Sequence, residues 1–198
     1  MAGSSEFNLT EFVQNVCRDI TERLPQFSQI DVRRIAFGFS YARNASRYGV
    51  WASVTPLRFA NGAIEEVRRG RVVRISPLFA PDGTAYLYIF RISFPRMWDL
   101  SFEEKISTLT HELHHISPEF NGDIRRFHGR CYAHGSNAKA YDAYVQALAE
   151  RWLSLGPPEE LLAPLRWTSR ELLKRCQVSG LRISRPRIIP VSDPPRRS

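Results

Sequence analysis

Ser101-Phe102-Glu103-Glu104-Lys105-Ile106-Ser107-Thr108-Leu109-Thr110-His111-Glu112-Leu113-His114-His115-Ile116-Ser117-Pro118 is the stretch on which the reading of this chain turns. Ser101-x-x-Glu104 is a capping box, in which each side chain satisfies a backbone N–H that a helix start leaves unpaired. Pro118 closes the helix, because its ring pushes Ser117 out of helical geometry. Between them Phe102, Ile106, Leu109, Leu113 and Ile116 recur at helical spacing and form one apolar stripe. His111 and His115, at i and i+4, fall on the opposite flank, with Glu104 and Thr108 above them. One face is therefore expected to pack on a sheet while the other presents imidazoles to a cleft.

The chemistry follows from the same positions. His111-Glu112-Leu113-His114-His115 reads H-E-x-x-H. Two imidazoles one turn apart can grip a single zinc ion, and a glutamate beside the first can act as general base toward a water that the ion activates. A lone histidine is usually a satisfied core or surface residue. A pair sharing a face away from the apolar stripe, with a carboxylate beside it, points to metal-dependent hydrolysis. His114 lies about a quarter-turn off that face. It is expected to serve as a hydrogen-bond partner to a neighbouring loop rather than as a ligand.

A catalytic zinc ordinarily takes three protein ligands and keeps one open position. The extension in which Gly and then His follow shortly after the second histidine is absent, since Ser117, Pro118 and Glu119 stand there. Glu150, on a later helix, lies deep within that element. His134 precedes Gly135 and the cap Ser136, so it sits at a helix entry where a glycine permits close backbone approach. His128 precedes Gly129 but lies in mid-loop. His134 is preferred over His128, and Cys131, between bulky neighbours, reads as buried packing. Asp123, Arg125 and Arg126 read either as a solvated loop with a local ion pair or as helpers of the site. In the second case Asp123 would orient a ligand imidazole and an arginine would bind a substrate carbonyl or developing oxyanion. Tyr132 and Tyr141 are weaker candidates for that last task.

Around the motif the chain reads helix, strands, helices. Asn8-x-x-Glu11 opens a first helix, with Leu9, Val13, Val16, Ile20 and Leu24 at helical spacing and Pro25 as its stop. Residues 35–41, 50–55, 71–76 and 84–94 are strand candidates, and Asn61-Gly62 and Asp82-Gly83 are turns. Residues 84–94 are the strongest strand and could offer an edge to an extended substrate. After Gly135 a helix carries Tyr141, Tyr144, Val145, Leu148 and Trp152, and Gly156 stops it. Two short helices are then expected, residues 159–163 and 168–176, separated around Pro164. This is an α+β pattern, with a small, mostly antiparallel sheet backing the motif helix and further C-terminal helices. Residues 1–178 are expected to form one domain, and 179–198, rich in Arg and Pro, a flexible basic tail.

Composition narrows the classes. The chain has 198 residues, 43% of them apolar and 24% charged, which suits a globular domain with a real core. A net charge of +8 favours polyanionic partners, nucleic acid first, through the basic surface and tail. Three widely spaced cysteines with no C-x-x-C pair argue against a zinc ribbon and fit a reducing, cytoplasmic setting. No apolar run spans a bilayer, so no membrane partner is expected.

His111 to Pro118, then Asn121-Gly122-Asp123-Ile124-Arg125-Arg126-Phe127, then Tyr132-Ala133-His134-Gly135-Ser136 resemble the phage-type metallopeptidase family, which is similar to the SprT-like zincins. The resemblance covers about residues 105–145 and, in pattern only, the strands. It implies a zincin-like α+β fold, one zinc held by His111, His115 and His134, and Glu112 as the general base. The expected activity is hydrolysis of a peptide or isopeptide bond in a protein or peptide substrate. Many SprT-like proteins add a C-terminal zinc ribbon, which this chain has no cysteines to build, so the relationship says little about DNA repair. The alternative is a basic nucleic-acid-binding protein with a non-catalytic zinc site, although such sites are usually closed by four cysteine-rich ligands. Nucleobase deamination would need a Pro-Cys-x-x-Cys motif that is absent. In a zinc titration, His134→Ala is expected to weaken binding far more than His128→Ala, and the reverse order would make His128 the third ligand.

Overall fold

The computed structural model describes residues 5–42, 48–127 and 138–191. The architecture is α+β, as the order of apolar patterns predicted. Helix α1 (Leu9–Arg23) is capped by Asn8, whose side chain accepts from the Glu11 N–H. Strands β2 (Ile35–Tyr41), β3 (Ala52–Pro56) and β6 (Tyr88–Phe94) form the sheet behind the motif helix α2 (Phe102–His114). Their order is β2-β6-β3, with β2 and β6 parallel and β3 antiparallel to β6. This backing sheet is therefore mixed. β2 reaches a parallel place beside β6 because the chain makes β3 and a further ribbon before returning, the long crossover that parallel pairing needs.

That order corrects the expected edge. β6 is the most apolar strand because it is central, bonded on both sides, and no substrate can add to it. The outer strand on the helix side is β3.

The inner face of the sheet and the apolar stripes of α1 and α2 make one core. Ile106, Leu109, Leu113 and Ile116 are fully buried against Phe37, Phe90 and Ile92 among others, with Phe102 at the margin. Helix α3 (Ala138–Ser154) adds Tyr141, Val145, Leu148 and Trp152, all buried, while Tyr144 is exposed. Helix α4 (Glu159–Arg166) runs through Pro164 instead of breaking there. A proline in the last turns of so short a helix forfeits a single bond, to the carbonyl four residues back. The break falls at Trp167, and Thr168 opens α5 (Ser169–Arg175) with its own capping box.

Beyond α5, the segment expected to be loose is held to the domain as far as Val191. Strand β7 (Cys176–Ser179) pairs in parallel with β1 (Ser5–Asn8). The chain then crosses the outer face of the sheet. Phe39 N–H donates to Leu181 O, and Arg91 donates to Ile183 O. Ile183 rests on Gly38, where a Cβ would stand 3.0 Å from Ile183 Cγ1. Strand β8 (Ile188–Pro190) closes a second three-stranded sheet, β4-β5-β8, made with β4 (Glu65–Arg68) and β5 (Arg71–Ile75). Of the apolar residues of this segment, Ile183 and Ile189 find partial cover, which composition alone does not reveal, while Leu181 and Ile188 stay exposed. Among the described residues, no helix is long and apolar enough to cross a membrane.

Lys105 is an unforeseen member of the core. It is 1% exposed, and its Nζ donates to Leu165 O (2.9 Å) and Trp167 O (2.7 Å), carbonyls that the end of α4 leaves without helical partners. Burial pushes its ammonium down from 10.5 to about 8, against the pull of Asp99 and Glu171. Between those values the unfolded chain binds the more protons, so this group's contribution to stability rises with pH. Urea unfolding of the wild type and of Lys105→Met should show the wild type gaining on the variant as pH rises from 8 toward 10. Parallel profiles would contradict the assignment.

Candidate metal centre and cleft

The capping box of α2 is complete, with Ser101 Oγ accepting from Glu104 N–H and Glu104 Oε2 accepting from Ser101 N–H. The helix ends at His114, and His115 keeps helical dihedrals as the residue after it. His111 and His115 therefore remain one turn apart on one flank. Their rings meet edge-on with centroids 4.6 Å apart, and their Nε2 atoms lie 2.9 Å from each other. One neutral imidazole donating to the other produces such a distance, and it brings the two Nε2 atoms together. Two nitrogens on a tetrahedral zinc stand about 3.3 Å apart, from bonds of about 2.0–2.1 Å. The pair fits a zinc ion after a shift of a few tenths of an ångström.

His128, Cys131 and His134 lie outside the described residues, as does Tyr132. Among the described residues, no group of three His, Cys, Asp or Glu side chains stands ready to hold a metal.

Glu112 sits beside this point, held by a group the sequence did not disclose. The Val54 N–H donates to its Oε2 at 2.8 Å. Strand β3 alternates its main-chain groups between β6 and the open side: Ser93 N–H bonds Trp51 O, and Leu57 N–H bonds Leu87 O. The even residues face outward, and Val54 spends its outward N–H on the helix. Burial pushes the Glu112 carboxyl up from 4.5 to about 7, with the Val54 N–H pulling the other way. A carboxyl near 7 can both take and return a proton at neutral pH.

His114 is buried and turned away from the convergence point. Its Nδ1 meets the Tyr141 hydroxyl at 3.0 Å, so its partner is on helix α3 rather than in a loop. Burial first, then the charges of Arg125 and His111, pushes this imidazole down to about 4, and it stays neutral. Tyr141 ties the three histidines together. Its ring stacks on His115 (6.0 Å) and meets His111 (5.3 Å) and His114 (5.2 Å) edge-on. The sequence marked Tyr141 only as part of an apolar stripe and as a weak oxyanion candidate. Burial pushes its phenol well above the usual range.

The Asp123 cluster is a structural device. Asp123 is buried and accepts from the N–H groups of Asn61 and Ile124 and, through both oxygens, from Arg126. Burial alone would raise its carboxyl, but these donors outweigh it and hold the group below the usual range. It orients no imidazole among the described residues. Arg125 donates its N–H to His115 O and its Nε to His114 O, closing the last turn of α2. Both arginines thus serve backbone and carboxylate in this arrangement, not an oxyanion. Gly122 and Tyr88 complete the loop: Gly122 N–H donates to the Tyr88 hydroxyl, which donates to Asp123 O.

A cleft of about 470 Å³ opens along α2 between the β3 edge and α3. Trp51, Ala52, Thr108, His111, Glu112 and Gln146 line it. The His111 imidazole and the Glu112 carboxyl therefore border a space that can admit a substrate. Compared with protein-family models, with curated proteins and with solved structures, the chain matches none.

Tyr141→Phe removes the partner of a buried imidazole but keeps the ring. It should lower unfolding stability by about 1–2 kcal/mol while leaving zinc stoichiometry unchanged. Loss of zinc at undiminished stability would contradict this division of labour.

Proposed function

We propose that the chain is a zinc-dependent metallopeptidase of zincin-like fold. The observation that carries the reading is the convergence of His111 and His115 Nε2 atoms, 2.9 Å apart, beside a carboxyl pushed up to about 7 at the border of a cleft. His111 and His115 would hold the ion through Nε2, with His134 as the proposed third ligand. A bound zinc ion would supply Lewis acidity, activating water and polarising the scissile carbonyl.

The chain's own residues do the rest. Val54 N–H fixes Glu112 Oε2 and so aims the other oxygen, Oε1, which takes the proton of the attacking water and later returns it to the leaving amine. Arg125, by closing the end of α2, keeps His115 in register with His111. Tyr141 packs against both imidazoles and limits their rotation. Ala52, on the outward-facing register of β3, leaves main-chain groups at the cleft. An extended peptide can pair with these by strand addition, at the edge that β3 rather than β6 provides. Protein or peptide is accordingly the proposed substrate.

Glu112→Gln should retain the wild-type zinc content and lose at least about a hundredfold of hydrolytic rate on an unstructured protein substrate. Normal turnover by this variant would refute the role given to Glu112. Absence of zinc from the purified wild type would remove the metal.

A further inference from the structure

The β4-β5-β8 ribbon joins the face of the main sheet away from α2, where Ile75 and Ile183 pack on Ala36, Leu57 and Ile89. Its sequence reads Glu65-Glu66-Val67-Arg68-Arg69-Gly70-Arg71-Val72-Val73-Arg74-Ile75. Every residue of β4 is exposed, so burial does little to hold this strand. Val67 is 69% exposed and Val72, its partner across the hairpin, 42%.

The tip breaks two local rules. Arg69 has φ of 50° and Gly70 of 75°, a turn in which Asn-Gly is the ordinary choice and arginine is disfavoured. Arg68 and Arg71 stand directly opposite each other, and like charges in that position destabilise a hairpin. Arg68 is bonded to Glu66, and Arg74 lies opposite Glu65. Among the described residues, Arg69 and Arg71 have no ion-pair partner. The C-terminal segment extends the charge along the base of the ribbon. Ser76 N–H donates to Arg187 O and Arg187 N–H donates to Ser76 Oγ, and Arg185 lies close enough to Arg91 to add to the depression that burial causes.

Charges on an exposed edge strand also guard against aggregation. That purpose would be met as well by lysine or glutamate, and at lower conformational cost by Asn or Gly at position 69. What arginine adds is a planar fork that binds phosphate or guanine through two parallel hydrogen bonds. β8 and Val191 flank β5 as far as Val72, so only the tip from Arg68 to Arg71 is two-stranded. A tip of that width is one that the B-form major groove admits, whereas the A-form major groove is too narrow.

We infer that the arginine-tipped β4-β5 ribbon, backed by Arg185 and Arg187, is a docking surface for duplex DNA. The inference is independent of the peptidase reading, since the ribbon is rooted on the face of the sheet away from α2 and uses none of that helix's residues.

Fluorescence anisotropy of the full chain with a labelled mixed-sequence duplex, across a series of salt concentrations, tests it. The double variant Arg69→Ala/Arg71→Ala should bind at least about tenfold more weakly, with a log K versus log salt slope shallower by about 1.8. The double variant Arg18→Ala/Arg151→Ala, on α1 and α3, should match the wild type. Arg69→Gly separates binding from folding: it relieves the positive φ, so thermal stability should hold or rise while DNA affinity falls. The inference is overturned by wild-type protein that does not bind the duplex. Tip variants with unchanged affinity and slope would also overturn it. So would equal affinity for poly-glutamate at the same salt, which would make the surface one for acidic protein.

Discussion

The hydrogen bond from Val54 N–H to Glu112 Oε2 is the contact on which the site depends. It crosses from the edge of the sheet to the flank of the helix, at 2.8 Å, and joins two elements far apart in sequence. It exists because the apolar stripe of α2 packs down on the sheet and brings the other flank level with β3. It fixes one carboxylate oxygen of a side chain that borders the cleft, and partly offsets the burial that lifts the group to about 7. Sheet order matters for the same reason. With β6 in the centre and β3 outside, the strand that positions Glu112 is also the strand whose outward groups remain at the cleft.

The imidazoles depend on a second set of constraints at the far end of the helix. Arg125 takes the carbonyls of His114 and His115, and Asp123 anchors the following loop to the turn at Asn61. Tyr141 comes in from α3 and contacts all three histidine rings. These contacts replace the solvent that would otherwise let His115, at a helix terminus, swing away. The acid–arginine cluster after the motif therefore acts on the site by holding the backbone that carries His115.

How much of this was legible in the sequence follows from what each residue's signal depends on. The helix α2, its cap and its two faces could be read because a capping box, a 3.6-residue period and a proline stop are local. His111, Glu112 and His115 could be read because their spacing alone places them together. Val54 could not, since its contribution is a backbone N–H and carries no side-chain mark. Strand order was illegible for a related reason: residues 84–94 are rich in Tyr, Ile and Phe because they are central, and the same richness reads as a strong strand anywhere. β4 has charged residues on both faces and no alternation, so it gave no strand signal at all. Residues 180–191 looked like a tail by composition, whereas a few apolar side chains and Gly38 suffice to seat them. Pro164 misled because its cost depends on its place within the helix.

Zinc K-edge X-ray absorption on the purified 198-residue chain tests the central claim most directly. The account predicts a zinc-loaded protein with a first shell of nitrogen and oxygen at about 2.0–2.1 Å and the outer-shell scattering of two or more imidazoles. A sulfur-dominated shell, or a protein that retains no zinc from a zinc-containing buffer, would contradict it.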